Sequence, residues 1–172
     1  FGESGSAHEG MLELSREGTL LLEHVETLSA HAQARLANML IEHSYVREGS
    51  QAKEKLETRI IASSSQELRE QVEKKEFRED LYYRLGVVNI SLPPLRERRE
   101  DIPLLVQRFA KDASEVHGKS VPEITNSAYS TLMEQSWPGN VRELRSVVEQ
   151  AVLFSTNGRI GSSELKLSPT VR

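Results

Sequence analysis

Three short apolar runs, separated by helix-like segments, constrain the fold of this chain most. They lie at Gly18–His24, Leu56–Ala62 and Gly86–Leu92; the first ends in Glu23-His24 and the second is followed by Ser63-Ser64-Ser65. Short buried strands that alternate with helices are typical of βα units, whose strands run parallel in one sheet. The third run stops at Pro93-Pro94, which cannot continue a hydrogen-bonded ladder. The sequence therefore predicts an α/β fold with a parallel sheet.

Helices are predicted between these strands and after them. One begins at Ser29, a residue type that accepts hydrogen bonds from the first helical turn. Its apolar residues recur at helical spacing at Leu28, Ala32, Leu36, Met39 and Leu40. A second, charged helix is predicted over about 66–75.

The character of the chain changes after Pro94. The charge run Arg96–Asp101 has a solvated linker as its simplest interpretation. Then comes a helix with Pro103 in its first turn and Gly118 after its end, whose buried face we assign to Leu105, Phe109 and Val116. A shorter helix is predicted over about 126–135. The last helix is predicted to be capped by Asn140, with Glu143 completing a capping box, and to bury Leu144, Val147, Val148, Ala151 and Phe154.

Composition excludes several classes of function. With 22 basic and 26 acidic residues the chain has a formal charge of −4, which argues against a DNA-binding module within it. It has no cysteine, so a disulfide framework and a thiolate metal site are excluded, in keeping with a cytoplasmic protein. The histidines have no convincing metal-ligand spacing. No apolar run approaches the roughly 18 residues of a membrane helix, so we predict no membrane partner.

Four motifs, taken in order, resemble one family. They lie at Gly18–Leu22, Phe77–Leu85, Leu92–Arg98 and Trp137–Leu144. Together they are similar to the NtrC-type sigma-54 interaction AAA+ ATPase domain of bacterial transcriptional regulators, with Gly18–Leu22 where the family has its Walker B strand. The resemblance implies a partial AAA+ P-loop-type parallel sheet over 1–98, followed by a small all-helical lid subdomain and the start of a linker over 99–172.

The resemblance also implies partners and cofactors. Such domains assemble into hexamer or heptamer rings, bind ATP and Mg²⁺ between neighbouring subunits, and act on RNA polymerase through its sigma factor. We expect DNA contact to belong to a separate domain after Arg172, with Ser168–Thr170 as the start of the linker. We expect a sensory domain and the Walker A segment before Phe1.

Arginines match the family's positions that act on a neighbouring subunit. Arg78 and Arg84 match its arginine fingers; a guanidinium is always charged and grips phosphate oxygens in a fork. By spacing alone, the simpler interpretation is surface arginines that pair with Glu79 and Asp80.

Further matches concern nucleotide sensing. In the Trp137–Leu144 motif, Val141-Arg142 falls at sensor II, and a cation at a helix start opposes the helix dipole, which favours a role such as phosphate binding over helix stability. Ser64 and Ser65 fall at sensor I, where the family usually has Thr-Asn. Ser64 keeps the hydroxyl, whereas Ser65 lacks the carboxamide.

The Walker B end departs from the family pattern. Glu23-His24 stands where the family has Asp-Glu, the pair that holds Mg²⁺ and polarises the attacking water. Glu23 keeps a charge with which to reach the metal. His24 is either a retuned base or, as a simpler explanation, an ordinary histidine at a strand end. We therefore expect weak or absent hydrolysis.

Two family motifs are missing. No Gly-x-x-x-x-Gly-Lys-[Ser/Thr] sequence occurs, although a phosphate-binding loop requires it; Gly2–Glu9 is similar only superficially and has no lysine. The Gly-Ala-Phe-Thr-Gly-Ala loop that engages sigma-54 has no counterpart before Gly18, either because it is deleted or because the sequence skips a mobile segment. Three hypotheses follow: a nucleotide-gated assembly domain, a hydrolysis-competent activator seen as a fragment, and an oligomerisation module that no longer uses nucleotide.

Overall fold

The computed structural model describes residues 10–47 and 49–167, so the Gly2–Glu9 and Ser168–Thr170 segments lie outside the described residues. The chain divides into two compact units that meet between Ile90 and Ser91. The helices and strands of the first unit are α1 (Met11–Leu14), β1 (Thr19–Leu22), a 3-10 helix (Val25–Thr27), α2 (Ala30–Glu42), β2 (Ser44–Val46), β3 (Lys53–Lys55), β4 (Arg59–Ala62), α3 (Leu68–Glu73) and α4 (Glu79–Leu85).

The predicted parallel sheet is present as the pair β1 and β4. Leu20 lies opposite Ile60, and Leu22 lies opposite Ala62. Alternate residues of both strands are half-buried while their neighbours are exposed, which is the period of two expected when one face of a sheet is covered. The parallel register brings the carboxyl ends of both strands to the same edge.

Helix α2 contributes Leu36 and Ala37 to the core of this unit. Ser29 caps it as predicted, because its side chain accepts a hydrogen bond from the Ala32 N–H at 3.3 Å. The core that it forms with the 3-10 helix and α4 consists of apolar side chains that are almost fully buried: Val25, Leu36, Ala37, Phe77 and Leu81.

The prediction of a third strand at Gly86–Leu92 was wrong. This segment has no regular secondary structure, and the side chains of Val87, Val88, Ile90 and Leu92 are between 77% and 81% exposed. A strand forms only where a neighbouring strand supplies hydrogen bonds, and β4 pairs only with β1 among the strands of the described residues. The apolar pattern alone therefore overstated this element.

A short hairpin, β2 and β3, was not predicted. Ser44 lies opposite Lys55 and Val46 lies opposite Lys53, and the Tyr45 hydroxyl donates to the Glu54 carboxylate at 3.1 Å. The strands have three residues each, and every residue of β3 is charged, so they lack the apolar alternation by which a strand is recognised.

The second unit is mainly helical, but it also contains one short pair of parallel strands that the expected all-helical subdomain did not include. Its elements are two 3-10 helices (Leu95–Glu97 and Arg99–Asp101), α5 (Ile102–His117), β5 (Glu123–Ile124), α6 (Asn126–Glu134), α7 (Asn140–Phe154), β6 (Arg159–Ile160) and a 3-10 helix (Ser162–Glu164). Gly118 ends α5 in the left-handed conformation, as its type suggested. The charge run predicted as a linker forms parts of both 3-10 helices.

Two predicted core positions of this unit were wrong. Val116 and Phe154 are exposed, and each lies in the last turn of its helix. The buried face of α5 instead consists of Ile102, Val106, Phe109, Ala110 and Ala113, and that of α7 of Leu144, Val147, Val148, Ala151 and Val152. Helical periodicity identified both apolar faces. It does not show how far along each helix the contact with the rest of the core extends, so the last turns were wrongly predicted to be buried.

The capping of α7 also differs from the prediction. Asn140 is the first residue of α7 and not its cap; Gly139 precedes it, and the Gly139 N–H donates to the Glu143 carboxylate at 2.8 Å. The predicted capping box between Asn140 and Glu143 is not formed, because the Asn140 N–H donates to the Trp137 carbonyl and the Glu143 N–H to the Gly139 carbonyl. The Asn140 side chain is directed elsewhere, because its Oδ1 accepts from the Leu95 N–H at 2.9 Å.

Candidate functional site

The candidate site lies where β1 and β4 end side by side. Backbone hydrogen bonds continue past both strands, from the Ser63 N–H to the Leu22 carbonyl at 2.8 Å and from the Val25 N–H to the Ser63 carbonyl at 3.1 Å. They bring together Glu23-His24 and Ser64-Ser65, two of the predicted groups of site residues. The carboxyl end of a parallel sheet is the usual ligand-binding edge of an α/β fold.

His24 turns the chain out of β1 in an unusual conformation. Its backbone is left-handed, with φ 55° and ψ 48°, a region that non-glycine residues seldom occupy. Its carbonyl accepts from both the backbone N–H and the hydroxyl of Thr27, which helps hold this turn. The side chain is 65% exposed, and Glu23 beside it is also exposed.

Sequence reasoning missed Glu26, an acidic residue that contacts both groups. Its side chain is only 5% exposed. One carboxylate oxygen, Oε1, accepts from the Ser65 hydroxyl at 2.6 Å, the Ser65 N–H at 3.1 Å and His24 Nδ1 at 3.2 Å. The other oxygen, Oε2, is buried and has no hydrogen-bond partner among the described residues. An acidic residue two positions after His24 was visible in the sequence, but its direction was not.

Hydrogen bonds keep this carboxyl group ionised. Burial by itself raises the pKa of Glu26, but the Ser65 hydroxyl, the backbone N–H groups of Glu26 and Ser65, and His24 outweigh it and lower the pKa to about 2. Hydrogen bonds to the charged form of a carboxyl stabilise that form. The site edge therefore contains a fixed negative charge at neutral pH.

The two serines at the end of β4 are used differently. The Ser64 hydroxyl donates to the Gln66 carbonyl at 2.8 Å and accepts from the Gln66 N–H at 3.1 Å, so it closes a local turn. The Ser65 hydroxyl gives its proton to Glu26. Both hydroxyls retain acceptor capacity, and their protons are engaged within the protein.

Arg78 is held by a carboxylate of its own helix start. It precedes the first residue of α4, and its guanidinium donates to both oxygens of Asp80, at 3.0 and 2.7 Å. Hydrogen bonding to Asp80 raises the pKa of Arg78, and the same contact with Arg78 lowers the pKa of Asp80. This is the pairing with Asp80 that residue spacing suggested. The pair is partly exposed, so an exchange of Asp80 for another anion costs little.

A buried glutamine fixes the backbone at Arg78. Gln33 of α2 is 3% exposed; its Nε2 donates to the Leu28 and Glu76 carbonyls at 2.9 and 3.0 Å, and its Oε1 accepts from the Arg78 N–H at 2.9 Å. A buried amide with these bonds on both of its ends allows little rotation. The predicted arginine finger therefore starts from a rigid position.

The remaining predicted arginines are exposed. Arg84 lies near the end of α4 and Arg142 in the first turn of α7; neither forms an ion pair with the part of the chain that is described. Val141, predicted beside Arg142, packs half-buried against the core of the second unit. Arg142 is thus directed to solvent from a helix start, where its charge does not favour the helix.

A magnesium ion fits this edge only together with other ligands. The described residues contain no group of three or more histidine, aspartate or glutamate side chains arranged for a metal. Mg²⁺ commonly binds to one or two carboxylates while phosphates and water complete its shell. The exposed Glu23 is therefore the residue that would hold it beside a nucleotide.

Two family models match this chain. That of the sigma-54 interaction domain matches residues 1–91, and that of the AAA+ ATPase lid domain matches residues 96–170.

Curated relatives match along nearly the whole chain. It is 39% identical to Regulatory protein AtoC of Escherichia coli over 96% of this chain and 36% of that protein. It is 43% identical to Nitrogen fixation protein AnfA of Azotobacter vinelandii over 92% of this chain and 30% of that one. The chain therefore spans about a third of the length of these relatives.

A solved structure has the same fold. The crystal structure of NtrX from Brucella abortus in complex with ATP superposes with a TM-score of 0.83 at 34% identity, over 90% of this chain and 36% of that one. The same protein has a structure in complex with ADP.

No helix within the described ranges is long and apolar enough to cross a membrane.

Proposed function

Because the chain belongs to the sigma-54 interaction domain family, we propose that it is the ATP-binding AAA+ part of a bacterial transcriptional regulator that forms a ring, acts on RNA polymerase through its sigma factor and hydrolyses ATP weakly or not at all. One observation carries the proposal: Glu23-His24, in place of Asp-Glu, directly follows β1 and lies beside Ser64-Ser65, which come just after β4. Nucleotide binding is supported by the ATP and ADP complexes of NtrX.

The weak hydrolysis follows from His24. A bound Mg²⁺ would neutralise phosphate charge, and Glu23 is the residue to hold it. The next position would have to orient and deprotonate water. His24 has a bulkier ring in place of a carboxylate, and one of its nitrogens is already engaged with Glu26. In this proposal the binding of ATP is the signal for assembly, and the hydrolysis of ATP is secondary.

Assembly depends on the arginines. Arg78 is exposed enough to exchange Asp80 for the phosphate of a nucleotide on a neighbouring subunit, since the two anions offer the same fork of oxygens. Arg84 lies on the same helix, and Arg142 on the lid would grip the nucleotide of its own subunit. DNA contact belongs to another part of the protein, and the proposed location is the cytoplasm.

The test uses the intact protein. We expect ATP binding by calorimetry, slow turnover, and assembly that requires ATP by analytical ultracentrifugation. His24→Glu should raise turnover about a hundredfold, the contribution of a positioned base. Arg78→Ala and Arg78→Lys should both abolish ATP-dependent assembly, because lysine cannot reproduce the bidentate fork. Arg69→Ala removes another exposed arginine of the first unit and should leave assembly unchanged.

Two outcomes contradict the proposal in different ways. Rapid turnover that is abolished by His24→Ala would identify a hydrolysis-competent activator. An absence of ATP binding by the intact protein, with assembly preserved, would identify an oligomerisation module that no longer uses nucleotide.

A further inference from the structure

We propose that Glu26 is a positioning residue that fixes the orientation and tautomer of His24 and couples it to Ser65. The inference rests on the proposed function only in assigning this strand edge to a nucleotide. The geometry itself is a property of the chain: a nearly buried carboxylate lies four residues after Leu22, the last residue of β1, and is hydrogen-bonded to Ser65, just past the end of β4.

The tautomer of His24 follows from the charge of Glu26. An ionised carboxylate accepts hydrogen bonds and donates none. The 3.2 Å contact from His24 Nδ1 to Glu26 Oε1 therefore requires the ring proton on Nδ1. In a neutral imidazole this leaves Nε2 as the acceptor nitrogen. An exposed histidine without such a partner mostly carries its proton on Nε2, so Glu26 reverses the ordinary preference.

The same oxygen couples the two strands. Glu26 Oε1 also accepts from the hydroxyl and the backbone N–H of Ser65. A histidine from the end of β1 and a serine from the end of β4 thus share one acceptor atom. A ligand that draws Ser65 away changes the hydrogen-bonding environment of His24, and the reverse also holds.

The role of Glu26 is separable from a purely structural one. A carboxylate that merely ties two strands together would affect stability and leave the imidazole tautomer of an exposed ring unchanged. A positioning carboxylate determines on which nitrogen the proton lies. The ¹⁵N chemical shifts of the ring nitrogens report the tautomer directly, in the absence of any nucleotide.

The experiment uses the intact protein labelled with ¹⁵N in histidine only, at a pH where the imidazole is neutral. Long-range ¹H–¹⁵N correlation identifies His24 as the signal lost in His24→Gln. We expect a wild-type His24 with its proton on Nδ1. Glu26→Ala should shift the tautomer ratio toward Nε2–H about tenfold, as expected when a charge-assisted hydrogen bond is lost.

A second variant protects the test against misfolding. Glu26→Gln keeps the size of the side chain and offers a neutral, weaker acceptor, so its tautomer ratio should lie between those of wild type and Glu26→Ala. The matched control is Glu73→Gln, which neutralises an exposed carboxylate of α3 and should leave the ratio unchanged. A wild-type His24 protonated on Nε2, or an unchanged ratio in both Glu26 variants, overturns the inference.

Titration of the same samples with magnesium ATP separates the two proposals. If ATP binds, the His24 ring signals of wild type should move, and the displacement should be smaller in Glu26→Ala. If ATP does not bind, the proposed function fails, while the tautomer result without nucleotide still decides the role of Glu26.

Discussion

The side-chain oxygen Oδ1 of Asn140 accepts a hydrogen bond from the backbone N–H of Leu95 at 2.9 Å, and the two residues are 45 positions apart in the chain. Leu95 is fully buried, and it immediately follows Pro93-Pro94. Asn140 reaches it from the first residue of α7 with a left-handed backbone, φ 52°. This hydrogen bond attaches the beginning of the second unit to α7. The apolar faces of α7 and α5 form one core.

Replacement of Asn140 by alanine should lower the free energy of unfolding by about 2 kcal/mol. The loss combines an unsatisfied Leu95 N–H with the poorer tolerance of alanine, compared with asparagine, for a left-handed backbone. Asn140→Gly removes only the hydrogen bond and should cost about half as much, whereas Asn140→Asp retains an acceptor. Urea denaturation followed by circular dichroism measures all three. Equal losses for the alanine and glycine variants would contradict the backbone part of this explanation.

Trp137 should be the most sensitive position of the second unit. Its indole is buried, and Nε1 donates to the Leu132 carbonyl at 2.9 Å. Trp137→Ala should cost about 3–5 kcal/mol, and Trp137→Phe clearly less because it keeps much of the ring volume. Trp137 is the one tryptophan of the chain, so wild-type unfolding is also visible as a red shift of its fluorescence. A loss below about 1 kcal/mol for the alanine variant would be inconsistent with this packing.

Gln33→Leu should destabilise the first unit by about 2–3 kcal/mol. Leucine fills a similar volume but leaves the Leu28 and Glu76 carbonyls and the Arg78 N–H without their side-chain partner, and buried unpaired groups are costly. Asn38→Leu, an exposed change on the same helix, is the matched control and should have little effect. In the intact protein, Gln33→Leu should also weaken ATP-dependent assembly because Arg78 loses its anchor; stability that matches the control would refute the anchor.

Glu26 should give the fold an acid-sensitive component. Its pKa in the folded chain is about 2, below the ordinary 4.5, so the folded state favours the ionised form. The stabilisation is fully present above about pH 4.5 and is lost as the pH falls toward 2. Urea unfolding of wild type and Glu26→Gln at several pH values should show the two curves converging in acid. A constant difference between them across this range would show that Glu26 keeps its ordinary pKa.

Residue types and short patterns correctly predicted the features that depend only on residues nearby in the sequence. Ser29 caps α2, Gly118 ends α5, and the apolar runs at β1 and β4 form parallel strands, because caps, left-handed glycines and alternation act over a few residues. The ordered motifs were sufficient to identify the family, since the order and spacing of its motifs reflect the order of the elements in its fold. The roles of Arg78, Arg84 and Arg142 remain predictions of that resemblance.

Only the tertiary structure decided which side chains meet. The apolar pattern of Gly86–Leu92 predicted a strand, but a strand depends on a partner whose position no local pattern specifies. Asn140 was predicted as a helix cap, although its side-chain oxygen accepts from the Leu95 N–H. Gln33 and Glu26 were not predicted, since nothing in the neighbouring sequence shows that they are buried. Burial and hydrogen-bond pairing depend on residues distant in sequence. The residues at the candidate site could thus be named from the sequence, while the carboxylate that holds two of them became evident only when the ends of β1 and β4 were side by side.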